Sequence, residues 1–391
     1  MLEAFYKTHD YLLQHLDVPV QRLLMKEINW QDRLIAVKGC RGVGKTTFLL
    51  SYAKDYYGIS RECLYVNFNN FYFSRNSLLE FAGEFVQHGG KLLLLDQTFK
   101  YEHWAEEIRA CYDRFPQLHI VFSASPVMRL TEENNPLHDV VKMYNLRGLS
   151  FREYLNLQAG QQFPVYTLRD IILHHEDIAR RIVERVNPLW YFPDYLHHGY
   201  YPFFLEKQNF QEALLKIMNM ILEVDVLLIK QIDVTYLPKI RQLLYAFLED
   251  SPCQLNVLSL SEQLGMSRAT IMNYIKYLKD ARLLNLLYTP EKQYPLKPQR
   301  VYMQNTNLLF SLPTRQVEPQ AVAETFFYNA VHGNHKVNAT DRNALFVVDG
   351  VNYFNVSARP SVKPSYRMTA VADLKVGEGN KVPLWLFGFL Y

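Results

Sequence analysis

A chain of 391 residues that is 49% hydrophobic and 14% aromatic has material for two to four domains and ample core, which excludes a disordered or fibrous protein. Its formal charge of +3, from 42 basic against 39 acidic residues, is too small to argue for nucleic acid, so any basic surface must be local. The cysteines, Cys40, Cys63, Cys111 and Cys253, are far apart and lack metal-ligand spacing, which points to a reducing compartment. No apolar run reaches the ~20 residues of a membrane span, and the opening MLEAFYKTHDYLL has acidic residues and no small-residue cleavage site. The expectation is a cytoplasmic protein with no membrane partner.

In chain order, residues 1–32 set apolar positions at helical spacing (Leu12, Leu13, Leu16, then Val20, Leu23, Leu24), predicting two helices. Leu34, Ile35, Ala36 and Val37 then read as a buried strand, followed at once by Gly39, Gly44, Lys45 and Thr46 in a Gly-x-x-x-x-Gly-Lys-Thr pattern. Glycines let such a loop turn its backbone N–H groups inward around phosphate oxygens, at the positive end of the following helix. Gly39, Arg41, Gly42, Val43, Gly44, Lys45, Thr46 and Thr47 are therefore the expected ATP-binding segment. Lys45 would reach the β- and γ-phosphates and the Thr46 hydroxyl would ligate Mg²⁺.

Helices are predicted over 43–57 and 77–86, with a strand over 64–68 between them. Four leucines, Leu92 to Leu95, lead into Asp96. A fully apolar strand with an acid at its carboxyl end suits a metal-orienting carboxylate, because ligands of parallel sheets bind there. Asp96 is thus the expected Mg²⁺-associated acid. Gln97 follows it, where many ATPases of this strand arrangement carry a glutamate that activates water; an amide can orient water but cannot take its proton. Turnover is expected to be slow or absent. A further apolar strand, 118–123, ends in Ser123 and Ser125, with Ser123 suited to sensing the γ-phosphate. Strand and helix alternate, which predicts a parallel α/β sheet of the P-loop NTPase type, with a strand inserted between the two phosphate motifs.

These stretches, together with LRGLSFREYL at 146–155, GYYP at 199–202, KPQRVYMQNTNLL at 297–309 and PLWLFGFLY at 383–391, resemble the bacterial and archaeal AAA-type P-loop ATPases that carry a winged helix and a C-terminal restriction-endonuclease-like domain. The resemblance makes Arg41 the loop arginine, Asp96 the metal-associated acid and Ser123 the sensor, with Arg129 and Arg147 as candidate arginine fingers. Three departures stand out: Gln97 for the family's Glu, Ser123-Ala124-Ser125 for Thr-Gly-Ser, and Gly148 for Pro. It also implies a helical lid, where residues 165–230 are helical in pattern. Within that stretch the pairs His174-His175 and His197-His198 lack the i, i+4 geometry of metal ligands.

Residues 258–270 read as helix, tight turn at Gly265 and a new helix capped by Ser267, with Ile271, Ile275 and Leu278 on one face and a wing strand at 283–288. This winged helix-turn-helix would contact double-stranded DNA through Arg268, Thr270, Asn273 and Lys276, or would serve as a protein-packing module. Pro290, Pro295 and Pro298 mark 289–298 as a linker. Beyond it a helix near 321–331 and strands at 344–348, 352–356 and 383–390 are expected. In the endonuclease-like part that the resemblance implies, Glu324 and Asp349 fit two acidic positions, but Asn355-Val356-Ser357 has neither the acid nor the lysine of the third, so nuclease activity is not expected. The expected division is an ATPase domain over 1–158, a lid over 159–236, a winged helix over 237–290 and a small α+β domain over 291–391. The expected function is an ATP-binding, slowly hydrolysing protein whose nucleotide state repositions the winged helix; the alternatives are a non-hydrolysing scaffold and a DNA-binding regulator. Self-association and the identity of any partner stay open.

Overall fold

The computed structural model describes residues 1–206, 209–312, 314–359 and 367–391, and divides into two compact units, residues 1–147 and 148–391. In the first unit, strands β1 (Leu34–Lys38), β2 (Cys63–Asn67), β3 (Leu92–Asp96), β4 (His119–Ala124) and β5 (Lys142–Asn145) form one sheet in the order β2-β3-β4-β1-β5. Every pairing is parallel, with Leu34 beside Ile120, Leu95 beside Phe122 and Asn67 beside Asp96. The apolar runs of β1 and β3 are buried because helices cover both faces of such a sheet. Strand β4 lies between β1 and β3, so the acid-bearing strand is one place removed from the loop-bearing strand.

Helices α1 (Leu2–Gln14), α2 (Leu24–Glu27), α3 (Lys45–Tyr56), α4 (Leu78–Gln87) and α5 (Trp104–Arg114) flank the sheet. Of the two helices expected before β1, the second shrinks to the single turn Leu24–Glu27. Helix α1 closes the outer edge of β2: His9 Nδ1 accepts the Tyr65 N–H at 3.1 Å, and the Tyr6 hydroxyl donates to the Arg61 carbonyl. The expected strands did not include β5, whose mostly polar, exposed side chains fit an edge position.

The second unit opens with α6 (Phe151–Ala159), α7 (Leu168–Val183, kinked at His174), α8 (Phe192–Asp194) and α9 (Phe210–Met220), the last running on as a π-helical stretch over Ile221–Leu228. Then come α10 (Leu237–Asp250), α11 (Val257–Leu264) and α12 (Arg268–Asp280), followed by an antiparallel pair, β6 (Leu284–Leu287) and β7 (Arg300–Met303). A short α13 (Thr306–Leu309) and the deeply buried α14 (Pro319–His332) precede a mixed sheet ordered β12-β11-β10-β9-β8. Its strands are β8 (Val337–Ala339), β9 (Phe346–Val348), β10 (Asn352–Ser357), β11 (Met368–Val371) and β12 (Lys381–Pro383).

Helix α6 groups with the second unit, where Phe151 packs edge-on against Phe192, Tyr195 and Phe389. Two expectations need correction. Residues 289–298 are not a linker between domains but lie in the loop that joins β6 to β7, so a boundary at 290 would cut a hairpin. Nor is 383–390 a strand. Pro383 lacks the N–H that further pairing needs, and Leu384–Phe389 coils into a 3₁₀ helix with Trp385, Phe387 and Phe389 fully enclosed.

The expected lid, winged-helix and C-terminal segments also share one core. Phe151, Ile171, Leu287, Tyr302, Phe327, Phe354 and Trp385 belong to a single buried cluster. A fully buried amide network reinforces it: Asn307 Nδ2 donates to the Tyr195 and Leu196 carbonyls, while Gln304 Nε2 donates to the Tyr200 hydroxyl and to Asn329. Buried amides satisfied in this way fix one packing arrangement. Trp385→Ala should therefore cost the second unit about 3–5 kcal/mol. Calorimetry should show the transition of residues 148–391 lowered and that of residues 1–147 unmoved.

Candidate nucleotide-binding site

Where β1 hands the chain to α3, backbone geometry dictates the residues. An ideal Cβ on Gly39 would stand 2.6 Å from the Leu146 carbonyl oxygen, so only glycine fits. Gly42 and Gly44 have φ of 82° and 90°, a region other residues enter at a cost. Gly44 is the N-cap of α3 and has no side chain to occupy the amides of the first turn, which leaves them pointing into the loop. The Lys45 ammonium curls over the same loop, donating to the carbonyls of Gly39 at 2.7 Å and Cys40 at 2.9 Å. Val43 is buried, Thr47 is exposed, and the Arg41 guanidinium lies 5.0 Å above the Phe99 ring.

The loop meets β3 through one carboxylate. Asp96, only 2% exposed, accepts the Thr46 hydroxyl at 2.6 Å and the Tyr65 hydroxyl at 2.8 Å on Oδ2. Its Oδ1 accepts the Ser123 hydroxyl at 2.5 Å and the Gln97 N–H at 2.9 Å. Strand order makes this convergence possible, since β2 and β4 are the two neighbours of β3. Gln97 adopts a left-handed backbone, φ 56° and ψ 42°, which aims its N–H back at Asp96 and at Ser123 Oγ. The Tyr65 phenol is pushed well above its ordinary pKa by burial and then by the Asp96 charge, so it stays protonated and remains a donor.

Thus Lys45, Thr46, Asp96, Gln97 and Ser123 come together around one loop and one strand end. Sequence reasoning missed two contributors. Arg22 Nη1 donates to the Val43 carbonyl at 3.0 Å and Nη2 to the Arg147 carbonyl at 2.6 Å, bracing the loop from the N-terminal segment. No spacing marks that arginine in the sequence. Tyr65 was read as part of an apolar strand; its one signal is a polar tip two residues before the strand's end. Of the candidate fingers, Arg129 pairs with Glu132 at 3.1 Å, and the carbonyl of Arg147 serves Arg22.

The remaining expected site residues lie in the second unit. Arg268 and Asn273 are exposed on α12, while Ile271, Ile275 and Leu278 are buried on its other side. Thr270 is engaged by the helix cap, its hydroxyl 2.8 Å from Ser267 Oγ. The β6–β7 loop reaches this helix: the Tyr294 hydroxyl donates to Asn273 Oδ1 at 2.9 Å, and the Lys276 ammonium sits 4.7 Å from the Tyr294 ring centre. Glu324 is held by Arg300 at 2.8 Å, Tyr302 and Gln320. Asp349 instead sits in the β9–β10 turn against His335, and Asn355 donates to the Asn343 carbonyl. Among the described residues no group of three or more His, Cys, Asp or Glu could hold a metal, and His198 is paired with Asp194 while His197 stacks on Phe310. No helix among them is long and apolar enough to cross a membrane.

A phosphate loop on β1, an acid on β3 and a strand inserted between them define the first unit as a P-loop NTPase domain of the inserted-strand class. Residues 31–155 match the AAA domain family, which marks this stretch as an AAA-type domain. Residues 189–314 match a domain of unknown function, DUF8612. An uncharacterized protein of Methanocaldococcus jannaschii, MJ1637, is 25% identical over 279 residues, which cover 66% of this chain and 58% of that protein; the chain thus matches little more than half the length of its curated relative. Structural superposition pairs the chain with a Thermotoga maritima RuvB variant (16% identity, 74% of this chain and 90% of that one, TM-score 0.27). It also pairs it with Aeropyrum pernix ORC1 in complex with DNA (12%, 80% and 92%, TM-score 0.29) and AMPPCP-bound DnaA from Aquifex aeolicus (12%, 70% and 87%, TM-score 0.26). At such TM-scores the assignment rests on the strand order and the family match. Because Arg22 supplies two donors to main-chain carbonyls at the loop, Arg22→Ala should weaken ATP binding about tenfold, read by isothermal titration.

Proposed function

We propose that this chain binds ATP with Mg²⁺ at the loop of residues 39–47, hydrolyses it slowly, and passes its nucleotide state to a winged helix formed by α10 to α12 and the β6–β7 hairpin. The observation that carries the nucleotide reading is the 2.6 Å bond from Thr46 to Asp96, beneath a glycine loop whose helix-end amides are uncapped. Hydroxyl and carboxylate oxygens are the donors Mg²⁺ prefers, so Thr46 and Asp96 fit that ion. Bound there, Mg²⁺ would neutralise charge on the β- and γ-phosphate oxygens. Lys45 would leave the carbonyls of Gly39 and Cys40 for the phosphates. Ser123 and Gln97 line the end of the sheet where the γ-phosphate would lie.

Slow turnover follows from Gln97, whose amide orients water without accepting a proton. Equilibrium dialysis with ATP and Mg²⁺ should show uptake by the wild type and at least a tenfold loss in Lys45→Ala; no uptake by folded wild-type protein would overturn the reading. Restoring a base with Gln97→Glu should raise phosphate release at least tenfold, whether the wild type hydrolyses slowly or not at all, and an unchanged rate would count against Gln97 as the cause.

For the winged helix, duplex DNA is the favoured ligand, supported by the exposed Arg268 and Asn273 at the start of α12 and by Lys276 beside the hairpin loop. A protein partner is the second reading, since Asn273 and Lys276 are both engaged by Tyr294. If DNA binds, affinity should fall steeply with salt, and Arg268→Ala and Lys276→Ala should each reduce the salt slope by about one. Gel shifts at graded salt decide between the two ligands. The arrangement around Glu324, Asp349 and Asn355 supports no nuclease.

A further inference from the structure

We infer that Tyr65 competes with magnesium-bound water for Asp96, so that the metal engages only when the phenol lets go. This rests on the nucleotide reading above. A carboxylate offers about four lone-pair sites. At Asp96 four donors already fill them: Thr46 and Tyr65 on Oδ2, Ser123 and the Gln97 N–H on Oδ1. A threonine hydroxyl that ligates Mg²⁺ through oxygen can keep donating its hydrogen, so the arrival of the metal does not release Thr46. Water bound to the ion is an additional donor and needs a lone pair. The oxygen that Thr46 touches is Oδ2, where the remaining donor is Tyr65.

Several features make the phenol the group that yields. Ser123 and the Gln97 N–H are tied to each other as well as to Asp96, and the Gln97 backbone is held in place by the following 3₁₀ turn. Apart from Asp96, the Tyr65 tip is met by the Thr46 side chain and by Asn67 Nδ2, which donates to it at 3.3 Å, a weak bond. A hydrogen bond to a charged group is strong enough to set the metal concentration at which nucleotide is gripped.

The test is titration of a fluorescent ATP analogue into the full chain, first in EDTA and then against rising Mg²⁺. Tyr65→Phe keeps the ring and removes the donor; Tyr65→Met is the second hydroxyl-free variant, should Phe fail to fold. Analogue affinity in EDTA should be unchanged, while the Mg²⁺ concentration giving half the metal-dependent gain should fall about tenfold. A damaged fold cannot produce that gain, since damage raises the Mg²⁺ requirement. An unchanged or higher requirement in a folded variant overturns the proposal and leaves the nucleotide reading intact. Failure of the wild type to bind the analogue in either condition overturns both.

Discussion

The carboxylate of Asp96 is the point on which the first unit turns. It lies at the end of the central β3, and its acceptors are filled from β2, from β4, from the first turn of α3 and from the residue that follows it. A buried charge is costly unless it is fully hydrogen-bonded, so these donors must stand where they do for the strand to end in an acid at all. The order β2-β3-β4-β1-β5 meets this need, because it flanks β3 with the strands that carry Tyr65 and Ser123. Thr46 then draws the phosphate loop to the same place. The demands of burial and the demands of a nucleotide site are met by one set of contacts.

In the second unit the organising element is α14, buried along most of its length and surrounded by Phe346, Phe354 and Phe387. The hairpin strand β7 contributes Tyr302 to that core and Arg300 to Glu324 on the same helix. Helices α10 to α12 and the β6–β7 hairpin are therefore continuous with the rest of the unit, and the hairpin is anchored at one end in apolar packing. Its loop is fastened at the other end to α12 through Tyr294. Glu324 is thus held by Arg300, Tyr302 and Gln320 at the surface of the same core.

How much of this was legible depended on whether local pattern or distant packing decided the residue. The loop at Gly39 to Thr46 was readable because backbone sterics demand glycine there, and Leu92 to Asp96 because a strand buried on both faces must be apolar until it meets the ligand edge. Gly265 and Ser267 likewise carry their own geometry, a left-handed turn and a helix cap. What stayed hidden is tertiary. Arg22 lies 21 residues before its partner Val43, and Tyr65 lies 31 before Asp96, so no window of periodicity joins them. Three prolines suggested a linker at 289–298, yet prolines serve a hairpin loop equally well. The run at 383–390 is apolar almost throughout, as a buried strand would be, but Pro383 at its head cannot donate to a neighbouring strand and the chain coils after it.

The core that joins Phe151 to Phe389 has a consequence for synthesis on the ribosome. Chains fold domain by domain as they emerge, N-terminal parts first. Residues 1–147 hold a complete sheet and can condense as soon as they leave the exit tunnel. The following stretch has less freedom: Phe151 packs on Phe192 and Tyr195 but also on Phe389, and the Tyr166 N–H donates to the Phe389 carbonyl, so the core is completed only when residues more than two hundred positions later have been made. The second unit is therefore the later of the two to close its core during synthesis.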